Sequence, residues 1–132
     1  MKSTNDYKVI IEPFTERHFI KSFEKKYKNA WDITLSVIKT EFEKVDLLFI
    51  KSVAEIIISH GDIRICKTEF KIAGTNESRH GSGNRCIIAI DTKKLAVHLL
   101  LIYNKTDLHS TNETAEWRKI IKDNYPEYKN IL

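Results

Sequence analysis

Four apolar residues in a row, Leu99-Leu100-Leu101-Ile102, sit inside a longer strand-like run from Leu95 to Tyr103. A strand with one wet face alternates apolar and polar side chains, whereas a run that is apolar at both parities has to be covered on both faces. The stretch therefore predicts a central strand. Arg85 to Asp91 reads as its antiparallel neighbour, joined to it through the turn Asp91-Thr92-Lys93-Lys94.

The other elements follow from local patterning. Tyr7 to Ile11 is β-branched and aromatic and stops at Pro13, which marks a first strand. Thr15 is placed to cap a helix carrying Phe14, His18, Phe19, Phe23 and Tyr27, ending near Tyr27 to Asn29. A second helix from Ala30 to Lys44 lines up Trp31, Leu35, Ile38, Phe42 and Val45, and aromatics at that spacing read as core rather than as a ligand-stacking face. Leu47 to Ile50 fits either a loop or a frayed helix end. Val53 to Ser59 reads as a strand, His60-Gly61-Asp62 as a turn, and Ile63 to Ile72 as a longer strand whose phase slips near Cys66 and Lys67, a sign of a bulge. After a polar loop from Asn104 to Thr111, Asn112 caps a last helix with Glu113 and Glu116 in its first turn and Ala115, Trp117, Ile120 and Ile121 facing inward; it stops before Pro126. The expected fold is α+β: an antiparallel sheet of four to five strands, two N-terminal helices on one face and a C-terminal helix near its edge. Trp31, Leu35, Ile38, Ile88, Ile90, Leu99 and Leu101 should be buried.

At 132 residues, 42% hydrophobic and 30% charged, residues 1–132 are expected to form a single globular domain. No run reaches the roughly 18–20 apolar residues of a membrane span, and the opening residues lack the apolar stretch of a secretion signal, so a cytoplasmic, membrane-free protein is expected. Cys66 and Cys86 lack metal-ligand spacing and sit in apolar strand patterns, which predicts buried thiols and no metal or other cofactor.

The loop Ala73 to Asn84 holds three of the chain's four glycines, and with the start of the next strand it carries Arg79, His80 and Arg85 with little acidic company. Gly81 and Gly83 permit backbone conformations that turn N–H groups toward an anion, and a guanidinium at the foot of a strand matches phosphate geometry. By itself such a loop is only a hairpin tip. The formal charge is a modest +4, but it is segregated: Lys67, Lys71, Arg79, Arg85, Lys93, Lys94 and Lys105 stand against Glu69, Glu77 and Asp91.

The element order, together with Lys71-Ile72, Ser82-Gly83-Asn84-Arg85, Leu100-Leu101-Ile102-Tyr103-Asn104-Lys105 and Asn112-Glu113-Thr114-Ala115-Glu116-Trp117, resembles the RelE/HigB-like toxins of bacterial type II toxin–antitoxin systems. The resemblance implies a metal-free mRNA endoribonuclease that works in the ribosomal A site and inhibits translation, and a cognate antitoxin, here an acidic and partly disordered segment. It places Lys71, Arg85, Tyr103 and Lys105 at the catalytic surface. Lys67, Arg79, Ser82 and Gly83 are candidate contacts to RNA phosphates, Arg79 on its chemistry alone. His80 and His109 are candidate acid–base groups on chemistry alone, since imidazole titrates near neutrality. Lys71, Arg79, Arg85 and Lys105 are expected to converge on one concave surface opposite the helices. Two alternatives share this fold: a non-catalytic or decayed relative that only grips nucleic acid, and a ParE-type inhibitor of DNA gyrase.

Overall fold

A computed structural model describes residues 6–108 and 111–132. Five strands, β1 (Lys8–Ile11), β2 (Ala54–His60), β3 (Ile63–Phe70), β4 (Asn84–Asp91) and β5 (Ala96–Asn104), form one sheet in the order β1-β5-β4-β3-β2. The helices are α1 (Pro13–Thr15), a single turn that continues through a π-helical stretch, Glu16–Ile20, into α2 (Lys21–Tyr27); then α3 (Asn29–Glu43), α4 (Val45–Ile50) and α5 (Glu113–Asn124), followed by a 3-10 segment, Pro126–Ile131. The class is α+β, with helices on both faces of the sheet.

The run Leu99 to Ile102 is central and covered on both sides, as its composition demands. Cys86, Ile88, Ile90, Val97, Leu99 and Ile102 face the N-terminal helices, where Phe23, Trp31, Ile38, Phe42, Val45 and Leu48 complete a first core. Ile65, Ile87, Ala89, Leu100, Leu101 and Tyr103 face Trp117, Ile121, Tyr125 and Tyr128 in a second. Leu100 and Leu101 share a face because β5 carries an extra residue there: Ile87 pairs with Leu101 but Ile88 with Leu99. Trp31, Ile38, Ile88, Ile90, Leu99 and Leu101 are buried, while Leu35 is half-buried.

Several expectations are corrected. The sheet is mixed, since β1 lies parallel to β5; only strands joined by short hairpins are forced to run antiparallel, and β1 is followed by helices rather than a hairpin. The C-terminal helix covers the second face. Leu47–Ile50 belongs to helix α4, because Val45 and Leu48 dock into the first core. The bulge falls on β2, where Ile57 is skipped between the pairs Ile56–Cys66 and Ile58–Ile65, so the slip seen in β3 belongs to its partner. Thr15 makes no cap; the helix starts at Pro13, and the buried Thr15 hydroxyl accepts the Ile102 N–H at 3.1 Å, beyond the last residue of β1 that could have paired with β5.

Both cysteines are free and buried, and burial pushes the Cys66 thiol up to about 12 and raises Cys86 further still. No helix among the described residues is long and apolar enough to cross a membrane.

Candidate functional site

Strand register builds the site. Glu69 stands opposite Arg85 across β3 and β4, and Arg85 opposite Tyr103 across β4 and β5, so all three project from the second face. The Asn112 side chain accepts the Ala115 N–H at 3.0 Å and starts α5, which sets Glu113 above them.

Five side chains then form an unbroken run. Tyr103 Oη donates to Glu113 Oε2 at 2.7 Å, and Arg85 Nε donates to the same oxygen at 2.8 Å. Arg85 Nη1 donates to Glu69 Oε2 at 3.0 Å, and His80 Nδ1 lies 2.9 Å from that oxygen. The run joins a buried end to an open one: Tyr103 is fully buried and the Arg85 side chain only 9% exposed, whereas the His80 side chain is 85% exposed. Arg85 Nη2 has no partner among the described residues.

These environments divide the roles. Burial, and then the bond to Glu113, hold the Tyr103 phenol far above its ordinary range. It is a permanent donor that orients Glu113, not a base at neutral pH. Glu69 links a rigid guanidinium to an open imidazole, and a carboxylate on Nδ1 leaves Nε2 facing outward for proton exchange.

The loop behaves differently from its composition. Gly81 N–H donates to Ser78 Oγ at 2.8 Å, Ser82 N–H to the Ser78 carbonyl at 3.0 Å and Gly83 N–H to the His80 carbonyl at 3.3 Å. The amides expected to cradle an anion are therefore engaged inside the loop. The Ser82 hydroxyl lies 2.6 Å from the Phe70 carbonyl and accepts the Asn84 N–H at 3.0 Å, which clasps the loop to β3. Gly83 adopts φ +75°, and a Cβ there would meet Lys105 Cγ at 3.2 Å, so the lysine stem lies across the glycine.

The four cations expected to converge do not. Arg85 belongs to the run on the second face, and Lys105 is exposed beside Gly83. Arg79 turns to the helical layer, where Nη1 donates to Glu41 Oε2 at 2.8 Å and Nη2 stands 3.5 Å from Thr68 Oγ1. Exposed Lys71 lines a groove there with Val37, Glu41 and Arg79. Lys67 is on the second face, two residues before Glu69. His109 lies outside the described residues. The arginines thus have acidic company that the loop sequence did not suggest: Glu41, Glu69 and Glu113. Pairing of Glu69 with Arg85 was in principle readable from strand register, but Glu41 and Glu113 arrive from other elements and leave no local signal.

No protein-family model matches this chain, and no curated protein matches it in sequence. Among solved structures it is similar to a chain of the archaeal RelE–RelB complex from Pyrococcus horikoshii OT3, at 16% identity and a TM-score of 0.45, covering 75% of this chain and 94% of that one.

Proposed function

We propose that this chain is a RelE/HigB-like toxin: a metal-independent endoribonuclease that cuts mRNA, associates with the ribosome and inhibits translation. The observation that carries the reading is the His80–Glu69 pair beside an Arg85 whose Nη2 has no partner among the described residues. Metal-free RNA cleavage needs a base for the ribose 2′-OH, positive charge at the phosphate and an acid for the leaving oxygen. His80 Nε2 takes the 2′-OH proton while Glu69 stabilises the imidazolium. The 2′-oxygen attacks phosphorus, Arg85 Nη2 and Lys105 meet the growing charge, and the 5′-oxygen leaves with a proton from Lys105. The products are a 2′,3′-cyclic phosphate and a free 5′-hydroxyl. Lys67, Lys71 and Arg79 grip flanking phosphates, and an acidic antitoxin segment covers the surface when the enzyme is idle.

A second reading, a non-catalytic relative, draws on the same ion pairs, because two carboxylates already neutralise Arg85. Incubating the protein with RNA and with programmed ribosomes in excess EDTA separates the two. Cleavage with cyclic phosphate ends, lost in His80→Ala and Arg85→Ala, is expected. Cleavage that stops on chelation, or wild-type rates in both variants, overturns the enzyme reading.

A further inference from the structure

Two donors from neighbouring strands converge on a single oxygen, Glu113 Oε2: the Tyr103 hydroxyl at 2.7 Å and the Arg85 Nε–H at 2.8 Å. Fixed donors aimed at one point make an oxyanion site, and here a carboxylate of the same chain fills it. Arg85 Nε shares an edge of the planar guanidinium with Nη2, so the fork that could grip a phosphate through two parallel bonds is half taken. Glu69 holds Nη1, outside that fork. One positive charge therefore faces two negative ones, and a phosphodiester would arrive as a third.

The two carboxylates are not equally fixed. Glu69 stands opposite Arg85 in the β3–β4 register and also faces His80. Glu113 is the first residue of α5, its side chain is 28% exposed, and it is held by Arg85 and Tyr103. Rotation of the side chain alone carries it to water, where it still lies at the positive end of α5. We propose that Glu113 is a built-in competitor of the substrate phosphate, holding the oxyanion site of Arg85 Nε and Tyr103 Oη until a phosphate oxygen takes its place. The nature of that substrate rests on the endoribonuclease reading; the site itself does not. On exchange, one phosphate oxygen takes the bonds from Tyr103 and Arg85 Nε, and a second takes Arg85 Nη2. Burial keeps the Tyr103 phenol protonated, so it remains a donor throughout. Only a phosphate that reaches both donors returns the bonds it displaces, which refuses loosely placed anions.

Calorimetric titration with inorganic phosphate reads the site without any cleavage. Glu113→Ala should bind phosphate about tenfold more tightly than the wild type, and Glu113→Gln, which keeps an acceptor but no charge, should fall between the two. Adding Tyr103→Phe to Glu113→Ala should remove most of that gain. Thermal melts check folding, and Glu113→Gln carries the test should the alanine variant unfold. Unchanged or weaker phosphate binding in the folded variants overturns the competitor, as does a gain that survives loss of the Tyr103 hydroxyl. Cleavage of a short RNA keeps this proposal apart from the nuclease reading. With both correct, Glu113→Ala raises kcat/KM about tenfold, whereas removing a glutamate that only braces the site would lower it. Tighter phosphate binding without cleavage by any variant sustains the competitor and sinks the nuclease. Wild-type cleavage that slows in Glu113→Ala, with phosphate affinity unchanged, does the reverse.

Discussion

Arg79 and Arg85 leave neighbouring points of one loop-and-strand segment, and the structure uses them in different ways. Arg85 is on a strand, so the β3 and β5 ladders fix what stands beside it, and its side chain is only 9% exposed between Glu69 and Glu113. Arg79 leaves a loop, reaches the outer layer of helix α3 and stays 31% exposed against Glu41. Both guanidinium groups are neutralised by carboxylates. Only Arg85 is joined, through Glu69, to an exposed imidazole, that of His80. The difference shows that a basic loop is not by itself a basic surface: where each arginine ends up depends on the carboxylates that the fold brings within reach.

Arg85→Ala should show the contrast most strongly. It leaves Glu69 and Glu113 without their shared cation, at a cost of about 3–5 kcal/mol in stability, and it should lower cleavage by about 100-fold or more. Arg79→Ala, measured alongside by urea unfolding and single-turnover cleavage, should cost no more than about 1 kcal/mol. Equal losses at the two positions would erase the distinction drawn between them.

The two loop glycines allow a similar test. Gly83→Ala should cost about 1–2 kcal/mol and shift Lys105, because a left-handed backbone there coincides with contact to the lysine stem. Gly74→Ala has φ +83° but open space around the Cβ, so thermal melts should find it the milder of the pair.

Tyr103→Phe keeps the ring and removes only the bond to Glu113, which predicts a loss of about 1 kcal/mol. Cleavage should slow modestly without any change in the shape of its pH profile, since the tyrosine positions Glu113 and moves no proton. A profile that loses a limb in this variant would return Tyr103 to the proton-transfer chemistry.

A pH series addresses the buried groups together. Cys66, Cys86, Tyr103, Tyr125 and Tyr128 all have their values raised by burial above the unfolded references of 9.0 and 10.0. Below those references both states keep their protons and stability is unaffected. Above them the unfolded chain ionises while the folded one does not, so stability should fall as pH rises past about 9. Urea melts across that range check it, and a flat curve contradicts the burial assigned to these groups. The smallest effect belongs to the outer pair: Glu41→Gln should change stability by less than about 1 kcal/mol and leave cleavage at the wild-type rate.

The sequence by itself determined the central strand pair, both long helices, the Asn112 cap and the burial of the cysteines, because period, caps and turn chemistry act over a few residues. Even the bulges left a trace in it, as the doubled leucines of β5 and the phase slip in β3. Tertiary structure decided the parallel placement of β1, the helical fate of Leu47–Ile50 and above all the electrostatics of the site. Arg85 meets Glu69 and Glu113 over separations of 16 and 28 residues, and Arg79 meets Glu41 over 38. Contacts at that range depend on register and on how helices pack, and neither is written in the residues next to the arginines.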